Sequence, residues 1–159
     1  MGLALITAPT DEPITLAEAK EHLRVTHTSD DDYIAALITG ARRMIEQETR
    51  QVLIIQTWDY SFDEWPALTL DTTADAEWID LPIGPVQSVS YLSYVNEDGD
   101  TNYAYDSAGS PTVGTDDYVI DTASLPARIG LVAGVAVPTT QDRINAFTAR
   151  FVAGYGASG

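Results

Sequence analysis

The sequence predicts an α+β chain: an N-terminal two-helix unit packed against a mainly antiparallel β region of short strands. Three observations carry this. Residues 13–50 hold two segments with apolar residues at helical spacing. After Gln51 the pattern changes abruptly to short runs of β-branched and aromatic residues. Gly and Pro then recur too closely to leave room for crossover helices, so neighbouring strands should run antiparallel. The chain divides accordingly into a helical segment, 1–51, and a β-rich region, 52–159, forming one compact unit.

The first helix is announced by Thr15 and Glu18. The Thr15 side chain can accept the Glu18 amide while Glu18 reaches back, which is a capping box. Leu16, Ala19 and Leu23 then fall at i, i+3 and i+7 and make one face apolar. The second helix is expected from Asp31 to Thr49, roughly 28 Å at about 1.5 Å per residue. Ser29 or Asp30 can cap it, and Asp31 and Asp32 suit the positive end of its dipole. Ile34, Leu37, Ile38, Ala41, Ile45 and Glu48 trace a stripe, apolar until its last member, with Met44 on its flank; this stripe is expected to face inward.

The opposite face carries Ala36, Thr39, Gly40, Arg43, Gln47 and Arg50. One reading is a solvated surface. The other is a subunit contact: small residues permit close approach, and Arg43 and Arg50 can pair with carboxylates of a neighbour. Ala36, Gly40, Arg43, Gln47 and Arg50 are the candidate interface residues.

In the second part, strands are expected at Ile54–Phe62, Leu68–Leu70, Trp78–Leu81, Val86–Val95, Thr101–Tyr105, Tyr118–Asp121, Arg128–Val132 and Ile144–Val152. In the Val86–Val95 strand, Val89, Tyr91 and Val95 are expected to share one face. Asn96-Glu97-Asp98-Gly99 supplies hairpin turn chemistry. Residues 106–115, rich in Gly, Ser and Pro, read as a mobile loop.

Composition bounds the rest. At 159 residues and 45% hydrophobic content, the chain can bury one core. No apolar run approaches the roughly 20 residues that cross a bilayer. The short apolar stretch Leu3–Ile6 has no basic region before it and is not a signal peptide. With no cysteine, disulfides and thiolate chemistry are excluded.

Charge is uneven. The net value is −16, and between Gln51 and Ala127 there are 14 Asp or Glu and no Lys or Arg. Nucleic-acid binders hold phosphates with basic stripes. This chain has none, and its middle would repel DNA. Residues 15–49 also make a poor helix-turn-helix, because the linking loop is acidic and too long.

No constellation carries catalysis. Asp30, Asp31 and Asp32 point in successive directions and read as capping. Residues 96–100 lack the ligand spacing of a calcium loop. His22 and His27 are five apart, not the four of a zinc pair, and His22 is expected to flank the helix interface. Asp63-Glu64 and Asp116-Asp117 read as turn residues. No catalytic, cofactor or metal residue is therefore assigned. A reading from another class, a carbohydrate- or cation-binding β domain or an enzyme, would need Trp58, Trp65, Trp78, Tyr91 and Tyr94 to converge on a cleft with carboxylates.

One motif series goes further. Pro13, Thr15, Leu16, Glu18, Ala19, Lys20, His22, Leu23, Arg24 and Val25 precede the acidic loop Asp30–Asp32, and Gln56, Thr57 and Trp58 open a strand. This closely resembles the start of tailed-bacteriophage head–tail connector (adaptor) proteins, including those of gene transfer agents. Weaker matches continue at Leu81–Val89, Tyr118–Arg128 and Arg150–Gly156. Family members commonly continue past that ending into a C-terminal helix; this sequence stops at Gly159, so no contact of that helix is carried over.

The resemblance implies a structural virion protein of the head–tail neck, made in the bacterial cytoplasm. Its copies would form a ring, a dodecamer by resemblance, beneath the portal protein and present a surface to stopper or tail-completion proteins. DNA would be passing cargo only. Neither a membrane nor a cofactor is implied.

Overall fold

The computed structural model describes residues 1–65, 78–106, 118–132 and 137–156. Among these described residues ten elements occur in the order β1 (Gly2–Thr7), α1 (Leu16–Leu23), α2 (Asp31–Thr49), β2 (Gln56–Phe62), β3 (Ile79–Asp80), β4 (Val86–Val95), β5 (Thr101–Asp106), β6 (Tyr118–Asp121), β7 (Arg128–Leu131) and β8 (Phe147–Ala153). The α+β class stands: two helices, and every strand pair antiparallel.

Two sheets share the strands. The larger has the order β1-β2-β8-β4-β5 and the smaller β3-β7-β6. β8 sits between β2 and β4, with Phe151 opposite both Trp58 and Val89. It alternates strictly, Phe147, Ala149, Phe151 and Ala153 buried and the residues between them less so. That period of two is what a half-buried central strand requires. One cluster joins both sheets, with Phe62, Phe147 and Phe151 from the larger and Ile79, Ile129 and Leu131 from the smaller. Phe62 and Phe147 stack with centroids 5.2 Å apart, and Trp65 meets both edge-on. Full burial of each such ring contributes about 1.5–3 kcal/mol.

Two glycines are needed where they stand. Gly154 has φ +135, and a Cβ there would lie 2.7 Å from the Ile54 carbonyl carbon. Gly130 leaves the space that the Trp78 indole fills.

The helices follow their sequence signals closely. Thr15 caps α1, accepting the Glu18 amide at 3.2 Å while its own amide donates to Glu18 at 2.7 Å. Both helices end on arginines in the left-handed region, Arg24 and Arg50. Lys20 of α1 pairs with Asp31 at the start of α2 and holds the two together. The hairpin turn also forms: Gly99, at φ +89, donates to the Asn96 carbonyl, and Asn96 Oδ1 accepts the Asp100 amide at 2.8 Å.

Several expectations are corrected. β1 was not anticipated; it forms the edge of the larger sheet although all six residues are exposed. Asp30 is the N-cap of α2 but makes no side-chain capping bond, and Ser29 instead meets the His27 ring. His22 is exposed and does not flank the helix interface. The α2 stripe is only partly inward. Ile34 and Ile38 are buried, but Leu37 is 51% exposed, Ile45 49% and Met44 68%. Arg42, not an aliphatic residue, completes the inner face.

In β4 the alternation is shifted by bulges between Val86 and Ser88 and between Val89 and Tyr91. Each adds a residue and turns the following side chains over. Val86, Val89 and Leu92 are therefore buried together, whereas Tyr91 and Val95 are only partly covered. The strand expected at Leu68–Leu70, the pair Asp116-Asp117 and nearly all of the 106–115 loop lie outside the described residues.

Candidate subunit interface

The geometry around α2 begins with Arg42. It is 6% exposed, and its Nε donates to Glu12 Oε2 at 2.7 Å while Nη1 donates to Glu46 Oε2 at 2.8 Å. Thr39 donates to the other Glu12 oxygen at 2.8 Å. Glu46 in turn accepts the Leu53 amide at 3.0 Å and the Gln56 side chain at 2.9 Å. One network thus ties the segment before α1 to α2 and to the start of β2. A buried guanidinium is tolerated only with partners that satisfy its fork of donors.

The charges respond. Burial alone would raise the Glu12 pKa, but hydrogen bonds from Arg42 and Thr39 and the charges of Arg42 and Arg43 hold it below the usual glutamate range. Glu12 hydrogen bonding is the largest of the effects that raise the Arg42 pKa above its ordinary value.

This network forms one wall of a groove of about 610 Å³. Leu3 and Leu5 of β1 line the other side, and Val52, Trp58 and Ile83 are apolar residues of its lining. Leu5 is opposite Trp58 across the β1–β2 ladder, which puts the two on one face of the sheet. The Trp58 indole nitrogen is buried and has no acceptor among the described residues. Arg43, Gln47 and Arg50 stand along the groove.

The five candidate interface residues are therefore split. Arg43, Gln47 and Arg50 share the groove; Ala36 and Gly40 are exposed but outside its lining. A Cβ on Gly40 would meet nothing within 4 Å, so that surface is open. Neither Arg43 nor Arg50 forms an ion pair among the described residues, whereas Lys20, Arg42, Arg128 and Arg150 all do.

The part that sequence reasoning missed lies on the other flank of α2. Tyr33 (66% exposed), Leu37, Met44 and Ile45 form an apolar surface, joined by the exposed Glu48. Its signal was present in the sequence: the apolar stripe is wider than one buried contact line of a helix requires.

Elsewhere the aromatics do not converge. Trp65 is buried in the core beside Tyr118. Trp78 lies beneath Arg128, while Tyr91 packs on Tyr103 and Arg150, which is bound to Asp59 at 2.7 Å. Desolvation and then the Asp59 charge push the Tyr91 phenol up. Among the described residues no three His, Asp or Glu gather as metal ligands. Asp121, expected only to end a strand, is held well below the usual carboxylate range by hydrogen bonds from Ser124 and Arg128.

Comparison with known proteins gives two findings. Residues 13–109 match the model of the phage gp6-like head-tail connector protein family. The fold is similar to chains in three particle structures. A chain in the neck of an empty GTA particle, computed with C6 symmetry, is 21% identical with TM-score 0.71 over 99% of this chain and 73% of that one. A chain in the virion of a native gene transfer agent particle is 23% identical with TM-score 0.69, over 99% and 74%. A third, from the neck of a native GTA particle computed with C12 symmetry, is 22% identical with TM-score 0.68, over 99% and 72%. No curated protein matches the chain.

Proposed function

The chain belongs to the phage gp6-like head–tail connector family, and from that premise we propose that its copies form a ring, twelve by family resemblance, beneath a portal protein in the neck of a phage or phage-like particle. The ring completes the head and offers stopper or tail-completion proteins their docking surface. The observation that carries this reading is the family match over 13–109. The likeness of the whole fold to chains of symmetric necks supports it.

The physical chemistry agrees. α2 exposes apolar side chains that the isolated chain does not bury, and such patches mark contact surfaces. The work is adhesive, with no chemical step. The acid-rich stretch from Gln51 to Ala127 suits a channel component, because a negative wall repels phosphates and lets DNA pass without sticking. Among the described residues no helix is long and apolar enough to cross a membrane.

The test is direct. The full chain is mixed with its own portal and the product examined by electron microscopy. Ring density added to the portal is expected; persistent monomer with a bare portal would sink the reading.

A further inference from the structure

We propose, resting on the ring reading, that neighbouring copies join head to tail through the two flanks of α2: the apolar flank of one copy fills the α2–β1 groove of the next. The occupant of the groove is thus a second copy of this chain, presenting Tyr33, Leu37 and Met44. Its Glu48 reaches Arg43 and Arg50 on the groove wall.

Four observations converge. First, the two surfaces lie on different sides of one helix. At about 3.6 residues per turn, Tyr33, Leu37, Met44 and Glu48 form one line, while Thr39, Arg43 and Arg50 form another roughly a third of a turn away. The buried residues Ile34, Ile38 and Arg42 separate the two lines. A subunit in a closed ring needs just such a pair of unlike surfaces, because a head-to-tail contact that closes makes a ring.

Second, the surfaces match in chemistry. The groove is lined by Leu3, Leu5, Trp58 and Ile83, and the flank supplies large apolar side chains that are 51–68% exposed at Leu37, Tyr33 and Met44. Third, the charges complement each other. Arg43 and Arg50 have no ion pair among the described residues, and Glu48, on the apolar flank, has no hydrogen-bond or ion partner there either. Fourth, copies carrying −16 repel one another unless cations such as Arg43 and Arg50, which form no ion pair among the described residues, meet carboxylates across the contact. A desolvated pair of this kind fixes register and partner choice.

The experiment uses assembly of the full chain on its portal, read by sedimentation and electron microscopy. Arg43→Glu with Arg50→Glu should abolish ring formation while the monomer keeps a cooperative melt, lowered only slightly by the lost Arg43 charge near Glu12. Adding Glu48→Arg to the same chain should restore assembly by about tenfold or more. A second arm exploits the absence of cysteine. Chains carrying both Leu37→Cys and Leu5→Cys should, on mild oxidation of the assembled ring, give a ladder of cross-linked multimers. Leu37→Cys alone should give none.

Rings that form undisturbed by the arginine reversals, or a ladder missing from intact rings, would overturn the head-to-tail contact alone. Dimers from Leu37→Cys alone would overturn it too, in favour of a symmetric contact. Cross-links running to the portal would show that the portal fills the groove. If the unaltered chain adds nothing to its portal, the ring reading fails and this contact fails with it.

Discussion

Arg42 and Glu12 stand 30 residues apart in sequence and 2.7 Å apart in space. That contact, with Glu46 on the far side of the guanidinium, replaces an aliphatic residue at the centre of the inner face of α2. Arg42→Ala should therefore destabilise the chain by about 3 kcal/mol, because it leaves two carboxylates facing a low-dielectric site without their cation. Glu12→Gln should cost less, about 1 kcal/mol, since Glu12 is partly solvated. Denaturant unfolding of the monomer measures both, and equal losses would show that Glu46 does not share the guanidinium.

This network and the separate Asp121–Ser124–Arg128 cluster make stability depend on pH. The carboxyls of Glu12 and Asp121 are both held below their ordinary values in the fold. Each therefore adds stability that is complete above its unfolded pKa and disappears as pH falls through its folded one. The melting temperature should drop on acidification below about pH 4.5, which follows from the usual carboxylate range. Chains with Glu12→Gln and Asp121→Asn together should show a shallower drop. An identical acid profile in the double variant would place the loss at other carboxylates.

Neighbouring residues of α2 should behave oppositely. Ile38→Ala removes a buried side chain and should cost about 2–4 kcal/mol. Leu37→Ala, at a position 51% exposed, should cost under about 1 kcal/mol in the monomer. The sequence alone predicts both to be buried. Thermal melts of the two variants separate the cases, and equal losses would mean that the helix is turned toward Leu37.

Gly154→Ala should cost at least about 2 kcal/mol, because the added Cβ meets the Ile54–Ile55 peptide and the backbone is in a region that side chains strain. Gly99→Ala, also at positive φ but with open space around it, should cost about 1 kcal/mol. Comparing their unfolding midpoints isolates the steric part. A smaller loss at Gly154 than at Gly99 would contradict the close approach.

What could be read from the sequence was local. The capping box at Thr15, the limits of α2, the hairpin at Asn96–Gly99 and the bounds of β4 and β6 all follow from rules acting over a few residues. What could not be read depended on distant partners. β1 has no polar alternation because its exposed leucines line a groove whose far wall arrives 40 residues later. The bulges of β4 come from its pairing with β8 and leave no mark in its own sequence. Of the candidate interface, Arg43 and Arg50 could be picked out as cations on an outward helix face. Their groove could not, and neither could the outward turn of Leu37 and Met44, because hydrophobicity does not say whether a side chain awaits its own core or a neighbour's.

The position of β8 between β2 and β4 has a consequence for how the molecule is made. On the ribosome the helices and β2 emerge early, yet the sheet has no middle until residues 147–153 follow. Pairings so far apart in sequence close slowly. A chain ending before Ala153 therefore keeps β1–β2 and β4–β5 as two ladders with no strand to join them. The order of strands works as a check on length: only chains synthesised through Ala153 can close the larger sheet.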